Sequence, residues 1–187
     1  MFLRENEIGR RIAPWVEPGM RLLDVGSGTG RIARWLARER RALPTTSDLH
    51  EFGNRVGDLP FRQITDPVRV PADDDEFEAV LLLFVLHHMP VWEDQIRLLA
   101  DAARAARRRL IVIEDTPLHQ VDRAFNVAWD WLLNLRHGVP KPFTFRDVEG
   151  WRRVFAGLGL HERHAETYRP LWPTLGTYHH TLFVLET

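Results

Sequence analysis

The segment Asp24-Val25-Gly26-Ser27-Gly28-Thr29-Gly30 joins a short apolar run, Arg21 to Val25, to a helical pattern that starts at Arg31. Glycines at such a junction let the backbone turn sharply and approach a ligand, while the first helical turn offers unpaired N–H groups. Three ligands compete for a loop of this kind. A phosphate loop ends in Gly-Lys-Ser/Thr, but Gly30 is followed by Arg31-Ile32. A dinucleotide fingerprint reads G-x-G-x-x-G, whereas Gly26, Gly28 and Gly30 read G-x-G-x-G. The remaining arrangement suits a nucleoside without a pyrophosphate, with an acidic residue closing the strand ahead of the loop.

Further groups could do chemistry elsewhere. His87-His88 follow the apolar run Ala79 to Leu86, and imidazole titrates near neutral pH, as a general base must. The alternative is that one ring caps the strand end and the other packs beneath the next helix. Glu114 and Asp115 close a second apolar run, Leu110 to Ile113, on the rim where doubly wound sheets place ligands. They meet substrate or cap the following helix. The pairs His161/His164 and His179/His180 invite a metal reading. Neighbours on a strand point to opposite faces, however, and no three ligands converge, so no metal is expected. Arg104, Arg107, Arg108 and Arg109 read as the last turn of a helix, where the dipole favours positive charge.

The elements that must position these groups alternate. A helix is expected from Phe2 to Ile12, ending before Pro14. Strands are expected at Arg21–Val25, Ala42–Ser47, Phe61–Thr65, Glu78–Leu86 and Leu110–Ile113, with helices after the glycine loop and over Val91–Arg107. A long aromatic helix over Leu118–Arg136, a helix over Arg146–Ala156 and strands at His161–Tyr168 and Tyr178–Glu186 complete the chain. Near-continuous apolar strands are covered on both faces, the habit of parallel sheets. The last two strands leave no room for a helix between them and so pair antiparallel. The fold class is α/β: a doubly wound, mostly parallel seven-stranded sheet with an antiparallel C-terminal strand.

Composition narrows the function. The 187 residues are 44% hydrophobic and 27% charged, which fits one globular domain spanning 1–187 rather than a disordered chain. A formal net charge of -1 argues against a broad nucleic-acid footprint. The sequence holds no cysteine, which excludes disulfides, thiolate–zinc sites and cysteine nucleophiles. No apolar run approaches the ~20 residues of a membrane span, and no signal-peptide core is evident, so a cytoplasmic location is the default.

Leu22-Leu-Asp-Val-Gly-Ser-Gly-Thr-Gly30 resembles, position by position, the first motif of class I S-adenosylmethionine-dependent methyltransferases. Asp48 matches the acid that in the family holds the ribose hydroxyls, and Asp66 the acid that accepts from the adenine amino group. Val70-Pro71…Asp73-Asp74-Asp75-Glu76-Phe77-Glu78 resembles the family's stretch ahead of the fourth strand, and Leu83-Phe84-Val85-Leu86-His87-His88-Met89 its end, near the methionine part of the cofactor. The resemblance spans Met20 to Glu114 well and the rest in outline. It implies a cofactor site of Asp24, Gly26, Ser27, Gly28, Thr29, Gly30, Asp48, Leu49, Asp66, Pro67 and Phe84. Glu78 stands where the family has Asp, and Pro67 follows Asp66 where a small residue is commoner, which removes one backbone donor from the adenine side. The family's second helix is expected to be truncated between Asp48 and Asp66.

The resemblance implies transfer of the sulfonium methyl to a small-molecule acceptor; the near-neutral charge and the short apolar runs leave no nucleic acid or membrane expected as partner. His88, Glu114 and Asp115 are the candidate catalytic groups. Val121, Phe125, Ala128, Trp129 and Leu132 share one helical face while Trp131 and Leu135 lie off it. A helical insertion at about 116–142 is therefore the candidate substrate lid, and its aromatic content favours an apolar or ring-containing acceptor. The alternative is a non-catalytic protein that binds the cofactor and regulates or scaffolds.

Overall fold

A computed structural model describes residues 2–117, 144–170 and 179–187. The expected helix over Leu118–Arg136, most of the lid at 116–142 and the turn around 170–176 lie outside the described residues.

Among the described residues the α-helices are α1 (Phe2–Ile12), α2 (Arg31–Arg40), α3 (Trp92–Ala105) and α4 (Val148–Gly157). The strands are β1 (Arg21–Val25), β2 (Leu43–Asp48), β3 (Phe61–Gln63), β4 (Phe77–Leu83), β5 (Ala106–Asp115), β6 (His161–Tyr168) and β7 (His180–Glu186). They form one seven-stranded sheet in the order β3-β2-β1-β4-β5-β7-β6. β1 to β5 run parallel, and β7 enters antiparallel between β5 and β6. The expected doubly wound sheet is thus the observed one.

Alternation along the central strands builds a core on each face. Val80 and Leu82 of β4 pack with Leu98, Leu99, Ala102, Trp151 and Phe155 beneath α3 and α4. Ala79, Leu81 and Leu83 join Ile8, Ile12 and Leu36 beneath α1 and α2. Strands buried on both sides carry little polar residue, which is why β4 reads as an unbroken apolar run. Polar side chains secure the ends: Asp147 caps α4 by accepting from Gly150 N at 2.6 Å.

Two expectations need correction. The helix assigned to Val91–Arg107 ends at Ala105, and β5 begins at Ala106, well before Leu110. Ala106 pairs with Phe77 in the sheet, so the chain is already extended there. Arg107, Arg108 and Arg109 therefore lie on a strand rather than at a helix terminus. Arg108 and Arg109 pair with Glu17 at 3.0 and 3.2 Å, and only Arg104 belongs to the last helical turn. The second correction is at β4, which stops at Leu83, because Phe84 adopts φ +61 and breaks the ladder.

α1 matters for the site because it roofs one end of the sheet. It docks on α2 through Gly9, where an added Cβ would lie 2.4 Å from the Trp35 ring, and Trp35 Nε1 donates to Asn6 at 2.8 Å. Gly9→Ala gains helix propensity but forces the helices apart, so it is expected to lower stability by about 1–2 kcal/mol in urea unfolding. A variant as stable as the parent would show that α1 does not rest on α2 at this distance.

Candidate active site

The glycine loop follows β1 and turns through three left-handed residues, Gly26 (φ +67), Gly28 (φ +55) and Gly30 (φ +77). At Gly26 the requirement is double. A Cβ there would be strained and would sit 2.6 Å from Val85 Cγ2, so only bare backbone fits beside the segment after β4. Ser27 N donates to Ser47 O at 3.0 Å, and Gly28 N donates to Asp48 Oδ2 at 2.8 Å. The loop is thereby tied to the end of β2, and its acid stands at the loop's edge.

A cavity of about 270 Å³ opens beside this loop. Asp24, Gly26, Ser27, Gly28 and Thr29 line one side, Leu83 and Phe84 another, and Arg4, Glu5 and Ile8 of α1 close it from above. Asp24 is buried, and that burial, reinforced by the nearby charge of Asp48, pushes its carboxyl up to about 7. The cavity thus holds an acid that ionises near neutrality and gains from a cationic ligand.

The other expected cofactor residues separate. Gly30 starts α2. Leu49 is exposed just past β2, and Asp66 and Pro67 are exposed past β3, where Asp66 Oδ1 accepts from Val68 N at 3.1 Å. None of these three lines the cavity.

The catalytic candidates occupy different surroundings. Glu114 is completely buried. Its Oε1 accepts from Val85 N at 2.9 Å and Leu86 N at 2.7 Å, and its Oε2 lies 2.6 Å from His87 Nδ1. That carboxylate fixes the turn after β4. Thr144 completes the support, donating its hydroxyl within reach of the His87 and Met89 carbonyls, and Gln95 donates to Leu86 O at 3.0 Å. His88 rides on the same turn, half-buried, its ring 4.1 Å from that of His87. Asp115 points the other way, as strand neighbours must, and its Oδ1 lies 2.6 Å from His180 Nδ1.

Sequence reading missed Arg4, which lines the cavity. His180 entered only as half of a possible metal pair, although its alternation with Leu182 and Val184 assigns it to the α1 face. Tyr168 is buried against His180, and burial raises its phenol above the ordinary value. Among the described residues no group of three or more His, Asp or Glu could hold a metal ion, and no helix is long and apolar enough to cross a membrane.

Comparison with known proteins gives a consistent picture. The profile of a family described as "Methyltransferase domain" matches residues 4–164. The ubiquinone/menaquinone biosynthesis C-methyltransferase UbiE of Bordetella avium (strain 197N) is 30% identical over 131 residues, 62% of this chain and 48% of that protein. The chain spans about half the length of the curated relatives it matches. An S-adenosylmethionine-dependent methyltransferase from Mesorhizobium loti superposes with a TM-score of 0.74 at 19% identity, covering 98% of each chain. Magnesium protoporphyrin IX methyltransferase from Synechocystis PCC 6803 with bound SAH gives a TM-score of 0.69 at 19% identity, over 98% of this chain and 82% of that one. At such identities the two structures speak for the fold.

Proposed function

The chain belongs to the class I S-adenosylmethionine-dependent methyltransferase family, and on that premise we propose that it methylates a small, apolar, ring-containing acceptor. The observation that carries the cofactor reading is the cradle itself. Gly26 admits no side chain beside Val85, and Ser27 Oγ is buried with no hydrogen-bond partner among the described residues. A polar atom left unsatisfied beside a tight glycine turn fits a polar ligand laid along the loop.

The cofactor supplies an electrophilic methyl on a sulfonium sulfur, with a neutral thioether as leaving group. The chain's share is to bind, orient and exclude water. The loop backbone from Gly26 to Gly30 would follow the adenosyl group, and the two oxygens of Asp48 suit adjacent ribose hydroxyls. Asp24 would face the positively charged end. Phe84 would form the apolar wall toward the acceptor. Asp66, with Leu49 and Pro67, would meet the adenine only if the exposed loops after β2 and β3 fold over it.

The acceptor class draws on two supports. The aromatic residues of 118–136 in the sequence favour a ring, as a lid at 116–142 would need, and the curated relatives are named for quinone biosynthesis. Incubation with methyl-tritiated S-adenosylmethionine and a bacterial lipid extract tests the reading. Label in an extractable ring compound is the expected result. Tight cofactor binding with no transfer to lipid, small-molecule or nucleic-acid fractions would make the chain a binder instead.

Asp48→Ala is expected to weaken cofactor binding by about 1–3 kcal/mol, the scale of hydrogen bonds to a charged acceptor. Titration calorimetry reads this directly, and unchanged affinity would remove Asp48 from the site.

A further inference from the structure

Among the described residues four charged side chains line the cavity beside the glycine loop: Arg4 and Glu5 of α1, Asp24 of β1 and Arg31 at the start of α2. The two on α1 have charge to spare. Arg31 Nη1 donates to Glu5 Oε1 at 3.2 Å, which engages one oxygen of that carboxylate. The other, Oε2, is buried and has no hydrogen-bond partner among the described residues. A carboxylate oxygen taken from water without a donor is costly, and native interiors keep few of them. The exposed Arg4 guanidinium rests 4.9 Å over the Phe84 ring, and among the described residues no hydrogen bond or ion pair engages it. A cation on an exposed ring face gains little, so it leaves readily for an anion.

Arg4 and Ile8 lie four residues apart on one face of α1, with Glu5 beside them, so one helical stripe presents both charges to the cavity. The stripe is held in place. Gly9 seats the helix on Trp35, Asn6 accepts from Trp35 Nε1 at 2.8 Å, and Arg31 ties Glu5 to the first turn of α2. The chemistry of the ligand group that suits this stripe is narrow. A lone anion such as phosphate would meet Arg4 but set a like charge against Glu5. An apolar ring uses neither. A group that carries an ammonium beside a carboxylate uses both.

We propose that Arg4 and Glu5 bind the amino-acid end of S-adenosylmethionine, Arg4 pairing with its α-carboxylate and Glu5 Oε2 accepting from its α-ammonium, with Arg31 as the positioning residue for Glu5. This role rests on the cofactor reading above and adds α1 to a site otherwise built by the glycine loop and the ends of β2 and β4. The amino-acid end takes no part in bond making. Binding energy gathered there holds the reacting sulfonium in place, which is the share of catalysis left to the chain. The pair also sets cofactor specificity, because an adenosine thioether without the amino acid leaves both charges unused.

Titration calorimetry on the full chain separates the two charges. The ligands are S-adenosylhomocysteine, its decarboxylated and deaminated analogues, and 5′-methylthioadenosine, which lacks the amino-acid end. The parent should bind S-adenosylhomocysteine at least about tenfold more tightly than 5′-methylthioadenosine. Arg4→Met should weaken S-adenosylhomocysteine and its deaminated analogue roughly tenfold to a hundredfold, the range for hydrogen bonds between charged groups, and leave the other two ligands unchanged. Glu5→Gln should weaken S-adenosylhomocysteine and its decarboxylated analogue while sparing the deaminated one. Arg4→Lys keeps the charge without the planar fork and should recover part of the loss. An Arg4→Met variant that binds S-adenosylhomocysteine like the parent overturns the proposal. So does an equal loss for every ligand, the mark of a merely structural role. A parent that binds 5′-methylthioadenosine as tightly as S-adenosylhomocysteine keeps the cofactor cavity and refutes the role of α1. A parent that binds neither refutes the cofactor reading and this role with it.

Discussion

Glu114→Leu is expected to lower the unfolding free energy by about 3–5 kcal/mol, the scale for leaving two backbone N–H groups and an imidazole unpaired in the interior. The side chain is wholly enclosed, and three donors converge on it: Val85 N, Leu86 N and the His87 ring. Leucine fills a similar volume but accepts nothing, so two backbone N–H groups and an imidazole are left unsatisfied in the interior. Glu114→Gln keeps one oxygen for the backbone pair while presenting an amide toward His87, and should cost less. Urea midpoints with unchanged slopes read both values. If Glu114→Leu proves as stable as the parent, the carboxylate does not organise the turn after β4, and its place at the sheet rim needs a catalytic explanation.

The glycine loop was legible in the sequence because everything that defines it is local. Gly26, Gly28 and Gly30 are each two residues apart, and their left-handed backbone is a property of the residue type. β4 and β5 were equally legible, since continuous apolar runs need cover on both faces. Their ends were not. Phe84 looks like one more apolar residue in Leu83-Phe84-Val85, yet it leaves the strand with positive φ because the loop around Gly26 and the carboxylate of Glu114 hold the following turn.

The roles of neighbours in the site depended on pairings that sequence does not print. Glu114 and Asp115 looked equivalent as rim acids. Alternation along β5 sends one into a sealed hydrogen-bond cage and the other toward His180, and the second partner is known only once the register of β5 against β7 is fixed. The arginine cluster failed for the same reason: the apolar stripe of α3 continues to Ala106, and only the pairing with Phe77 shows that the chain is already in the sheet there.

Asp24→Asn is expected to move stability and cofactor affinity in opposite directions. In the folded protein its carboxyl holds a proton up to about 7, against an ordinary value of 3.8, because burial and then the charge of Asp48 disfavour ionisation. Between those values the native state carries more protons than the unfolded chain, so stability falls as pH rises across that window and stays reduced above it. Asparagine never ionises. The variant should match the parent near pH 3.5 and exceed it at pH 8 by about 1–4 kcal/mol, since every tenfold difference in proton affinity between the two states is worth about 1.4 kcal/mol. Its affinity for S-adenosylmethionine should fall roughly tenfold to a hundredfold, because the carboxylate no longer meets the ligand's positive charge. Urea unfolding at the two pH values and calorimetry at pH 8 measure the pair. A purely structural acid would lose stability on replacement and leave affinity alone, so a gain in one with a loss in the other identifies Asp24 as a group held in a costly state for its ligand.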